Sequence, residues 1–121
     1  MRCDLGENFA FELARDIIDA LEDKKAEDIV LIDLRGVAVF TDFFIICSGT
    51  SDRMLRSLIK AANESSIQNH EKKGRVLGSP ENGWIAVDYG DVVLHIFSPN
   101  QRDYYRLEEL WAEGKIVLKI K

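Results

Sequence analysis

The chain has 121 residues, the length of one domain, with 46% hydrophobic and 31% charged residues, an ordinary balance that can build one core. No apolar run approaches the roughly 20 residues that cross a bilayer, and the first dozen residues lack the basic-then-apolar pattern of a secretion signal, so the sequence reads as cytoplasmic. The net charge of −5 disfavours nucleic acid as the main partner, because that affinity comes largely from Lys and Arg on phosphates; it favours a basic protein surface.

Cys3 lies in a terminus that reads as loose. From about Phe9 to Lys24, Phe9, Leu13, Ile17, Ile18 and Leu21 recur at helical spacing with charged residues between them, which predicts an amphipathic helix with one buried stripe. Ile29–Leu34 and Phe43–Cys47 are short apolar runs, rich in β-branched and aromatic residues, that predict buried strands. Ser51 or Asp52 can cap a second helix running to about Asn69, with Met54, Leu55, Leu58, Ile59 and Ala62 inward. Glu71 to Gly83 carries Gly74, Gly78, Pro80 and Gly83 and reads as loop, with room for a short strand at Arg75–Leu77.

Trp84–Tyr89 and Val92–Phe97 form two strands joined through Asp88-Tyr89-Gly90-Asp91, which supplies hairpin turn chemistry. Ser98 and Pro99 suit the start of a third helix with Tyr104, Leu107, Leu110 and Trp111 at three- and four-residue spacing, stopped by Gly114. The tail Lys115–Lys121 is either an extra edge strand or an extended arm. Interleaved helices and strands predict an α/β sandwich: one domain over residues 1–121, a mixed sheet and about three helices, with residues 114–121 as a C-terminal extension.

Neither Cys3 nor Cys47 belongs to a C-x-x-C pair, and His70 and His95 stand far apart, so no metal or other cofactor is expected. Ser48-Gly49-Thr50-Ser51 sits between a strand and a helix, where free N–H groups can bind phosphate. Nucleotidyl transfer would also need paired carboxylates for magnesium. Asp88 and Asp91 are three residues apart around a glycine turn, not two apart on one strand face. A tight, capped strand-to-helix turn is the better reading. Cys47, Ser48 or Ser51 as nucleophile with His95 as base lacks a visible third group, and His95 reads more readily as a partly buried structural histidine.

A protein-binding face is the third possibility, the alternative being that Trp84 and Trp111 are core residues. Trp84, Ala86 and Asp88 share one side of their strand, while Ile85, Val87 and Tyr89 share the other, which is apolar enough for core. Trp and Tyr favour interface hot spots, and acids answer a basic partner. The segment after Pro99 adds Tyr104, Tyr105, Glu108 and Trp111.

Three segments together, TDFFIICSGTS (41–51), GWIAVDYGDVVLHIF (83–97) and RDYYRLEELW (102–111), resemble the ribosomal silencing factor family, also called Iojap-like, across roughly Phe9 to Trp111. The resemblance implies a bacterial non-enzymatic factor that binds the L-fourteen protein of the large ribosomal subunit, blocks joining of the small subunit and represses translation. It also implies a role in large-subunit assembly for organelle relatives, a nucleotidyltransferase-like fold without its catalytic carboxylates, and homodimers. Matching positions make Trp84, Asp88, Asp91, His95, Tyr104, Tyr105 and Glu108 the expected partner-binding residues, with Trp84 as anchor and Asp88, Asp91 and Glu108 facing basic groups. The tail lysines are expected to be solvated, the alternative being a minor contact with ribosomal RNA.

Overall fold

The computed structural model describes residues 3–36, 41–98 and 115–120. In chain order these form helix α1 (Cys3–Asp23), strands β1 (Glu27–Asp33) and β2 (Phe43–Ser48), helix α2 (Asp52–His70), strands β3 (Arg75–Ser79), β4 (Trp84–Asp88), β5 (Val92–Phe97) and β6 (Lys115–Ile120), with a 3-10 turn at Pro80–Asn82. The strands make one mixed sheet in the order β3-β4-β5-β2-β1-β6. Only the β2–β5 pair is parallel; the other pairs are antiparallel.

The two faces of the sheet divide the apolar residues by strand alternation. On one face, Ile29, Leu31, Phe43, Ile45, Cys47, Ile85, Val87, Leu94 and Ile96 pack against Leu13, Ile17, Leu21, Leu55, Leu58 and Ala62 of the helices. On the other, Val30, Ile32, Leu34, Phe44, Ile46 and Phe97 form a smaller cluster, with Trp84 and Val93 against its margin. All six residues of β2 are buried, as a continuous apolar strand in mid-sheet requires.

α1 begins two turns before the expected start. Its apolar periodicity is clear only from Phe9 onward. Cys3 therefore lies in a helix and not in a loose terminus. α2 starts as expected: the Ser51 side chain accepts the Met54 N–H at 3.1 Å. It ends on Glu71 in the left-handed region, whose N–H reaches the Ile67 carbonyl. The inward residues are Leu55, Leu58, Ala61, Ala62 and Ser66, while Met54 and Ile59 are only partly buried.

The expected loop at 71–83 contains a full edge strand, β3, longer than its predicted three residues. Its glycine and proline content hid it; Gly78 takes φ +86°, and a Cβ there would meet the Trp84 carbonyl oxygen at 2.5 Å. The hairpin turn closes as expected. Gly90 has φ +91°, and Asp88 Oδ1 accepts the Gly90 N–H at 2.8 Å. The tail is an edge strand on β1 and not an extended arm. The third predicted helix, with Tyr104, Leu107, Leu110 and Trp111, lies outside the described residues.

Gly74 packs where no side chain fits: a Cβ would lie 2.4 Å from Val87 Cγ1 and 2.6 Å from the Tyr89 ring. Overpacking of this kind costs about 1–3 kcal/mol. Gly74→Ala is therefore expected to lower unfolding free energy by about 2 kcal/mol, measured by urea titration; a stability equal to that of the parent chain would show that β3 and β4 shift freely.

Candidate functional site

The β4–β5 register builds the site. Directly opposite residues share a face, so Trp84, Ala86 and Asp88 stand beside Phe97, His95 and Val93 respectively. On the other side of β4, Ser79, Leu77 and Arg75 occupy the same rows. The remaining β4 residues, Ile85 and Val87, point into the helix-side core and are fully buried. The predicted assignment of the two faces of β4 is therefore correct.

Trp84 is half-buried and held from two directions. Its indole Nε1–H donates to His95 Nδ1 at 3.2 Å, and its ring stacks on Phe97 with centroids 5.5 Å apart and planes 17° apart. Phe44 meets the His95 ring edge-on at 4.6 Å. A neutral imidazole that accepts at Nδ1 carries its proton on Nε2. That atom has no hydrogen-bond partner among the described residues. His95 is only 7% exposed, and burial pushes its pKa down to about 4. It is thus a neutral support behind Trp84, poorly placed to touch a partner.

Asp88 is exposed and Asp91 half-buried, one on each side of the hairpin turn. The Asp91 main-chain carbonyl accepts the N–H groups of both Asp42 and Phe43, which ties the turn to the start of β2. Trp84, Asp88, Asp91 and His95 are thus gathered on one hairpin. Tyr104, Tyr105 and Glu108 lie outside the described residues. Leu77, the last residue of the short strand the sequence left room for and not among its expected site residues, joins the face beside Ala86 and is 47% exposed. The apolar pair Val76-Leu77 was its only sequence signal.

The alternative chemistries find less support. Cys47 pairs with Ile96 and Ile46 with His95, so Cys47 and His95 project to opposite faces of the sheet. The Ser48–Ser51 turn is filled from below: a Cβ on Gly49 would meet Leu55 Cδ2 at 2.8 Å. Ser51 is occupied as a helix cap, and the Thr50 N–H lies 3.3 Å from Met54 Sδ. Among the described residues no three His, Cys, Asp or Glu gather in a metal-binding group.

Comparison with known proteins decides the family. A family model described as "Ribosomal silencing factor during starvation" matches residues 7–120. The chain belongs to the ribosomal silencing factor family. It is 36% identical over 97 residues to the ribosomal silencing factor RsfS of Bacillus subtilis, covering 80% of this chain and 82% of that protein. A mouse relative, "Mitochondrial assembly of ribosomal large subunit protein 1", is 31% identical, with 79% of this chain aligned to 43% of its length. A crystal structure of a Chromobacterium violaceum protein superposes with a TM-score of 0.77 at 31% identity, covering 84% of each chain. One from Bacillus halodurans gives 0.75 at 33%, covering 88% of this chain and 97% of the other.

The buried His95 sets a pH dependence. Its folded pKa of about 4 lies below the ordinary 6.5, so the unfolded chain takes up the proton first. The contribution is complete above pH 6.5 and is lost as pH falls from there toward 4. The loss should reach about 3 kcal/mol. Urea titrations between pH 4 and 7 check this; His95→Gln should flatten the slope across that window, and an unaltered slope would contradict a buried neutral imidazole.

Proposed function

We propose that the chain binds the large ribosomal subunit through the L-fourteen protein and, by occupying that surface, keeps the small subunit from joining. The observation that carries this reading is the β4–β5 face, where a half-buried Trp84, fixed by His95 and Phe97, stands on the same strand face as the exposed carboxylate of Asp88. A rigid aromatic anchor beside an acid suits a basic protein surface. The net charge of −5 favours such a surface over RNA phosphates. Family membership and the relatives' names supply the ribosome as the setting.

The mechanism requires occupancy and no chemistry. Binding of the chain and joining of the subunits exclude each other, so each lowers the apparent affinity of the other by mass action. A second reading, an assembly factor acting on the same subunit, is favoured by the mouse relative's name. It differs in timing and not in the face used.

Subunit joining tests the proposal. Purified large subunits are incubated with the chain, small subunits are added, and joined ribosomes are read by light scattering. Dose-dependent loss of joined ribosomes, with the chain travelling on the large subunit, is the expected outcome. Comigration with no effect on joining would favour the assembly reading, and no comigration would remove both. Trp84→Ala should cost at least about 2 kcal/mol of subunit affinity, with folding checked separately because the indole also packs on Phe97.

A further inference from the structure

Ala86 is the smallest side chain on the binding face and stands at its centre. Along β4 its same-face neighbours are Trp84 and Asp88; across the ladders they are Leu77 on one side and His95 on the other. Directly opposite Cβ atoms lie about 5 Å apart, so a methyl group among these larger neighbours floors a shallow slot. The slot is accessible, since Ala86 is only partly buried, Leu77 is 47% exposed and Asp88 is exposed. Asp88 uses Oδ1 to accept the Gly90 N–H. Arg75, opposite Asp88 across the ladder, makes no ion pair with it among the described residues.

We propose that this slot receives one Arg or Lys side chain of the protein partner, its methylene stem lying on Ala86 between Leu77 and Trp84 and its charged head meeting Asp88. The inference rests on the large-subunit reading and adds the chemistry of one contact and two residues, Leu77 and Ala86, that take part in it. Long basic side chains bury an apolar stem while keeping the charge near a polar group, which matches an apolar floor ending at a carboxylate. A purely apolar side chain would cover Asp88 without pairing it, a costly arrangement. A phosphate would meet Asp88 as a like charge.

The test compares the full chain with Ala86→Leu, Ala86→Gly, Leu77→Ala and Asp88→Asn for binding to purified large subunits, with thermal unfolding measured on each. Ala86→Leu fills the slot and is expected to weaken binding at least about tenfold, whereas Ala86→Gly keeps it open and should stay within about threefold of the parent. Leu77→Ala, at an exposed edge position, should lose several-fold. Asp88→Asn keeps the cap on Gly90 and should bind more weakly with a shallower dependence on salt. Parent-like binding by Ala86→Leu overturns the slot while leaving the large-subunit reading intact; if that variant does not fold, parent-like binding by Leu77→Ala overturns it. Failure of the parent chain to bind large subunits removes both.

Discussion

The parallel pairing of β2 with β5 is the constraint on which the remaining structure depends. It joins residues 43–48 to residues 92–97 in register, Phe43 against Val92 through Ser48 against Phe97, and places two apolar strands at the middle of the sheet. A parallel pair needs a long crossover, and here α2, β3 and β4 supply it. Because β2 is buried on both sides, every residue of β5 is committed to one of two apolar surroundings. Leu94 and Ile96 face the helices; His95 and Phe97 face the other side. The support beneath Trp84 is a direct result of that register. A one-residue slip would turn His95 into the helix-side core and Leu94 toward Trp84.

Much of this was legible in the sequence because the signals were local. Ser51 at a helix start, Gly90 in a two-strand turn and the alternation of Trp84-Ile85-Ala86-Val87-Asp88 each act through a few neighbouring residues. Strand β3 was obscured because Gly74, Gly78 and Pro80 give it the composition of a loop. Its place in the sheet comes from pairing with β4 and not from its own propensity. Leu77 went unnoticed as a site residue for the same reason. The role of His95 was half legible. Its face follows from period two, but its burial depends on Phe44 and Trp84, which reach it from other strands.

The acids of the hairpin lie where an apolar sheet can carry them. Asp88 and Asp91 flank a tight turn at the end of a hairpin, where Gly90 lets the backbone reverse and where neither carboxylate must enter the core. An exposed acid such as Asp88 contributes little to fold stability. In general, acids on a surface favour association with basic surfaces over phosphates. Trp84 is already ordered, with its indole N–H satisfied by His95 and its ring stacked on Phe97, an arrangement that would spare the entropy cost of fixing it in an interface.

The same economy of structure weighs against catalysis at the strand-to-helix turn. A phosphate site needs backbone N–H groups directed into open space. Here the Gly49 N–H bonds to the Phe97 carbonyl, the Thr50 N–H approaches Met54 Sδ, and the side chain of Ser51 caps α2. Leu55 and Leu58 approach Gly49 from the helix side. The Gly49 N–H thus ties the end of β2 to β5, and Thr50 and Ser51 tie the turn to α2. On β4 the Asp88 carboxylate stays exposed, on the same strand face as Trp84. The middle strands β2 and β5 hold the β4–β5 hairpin in place.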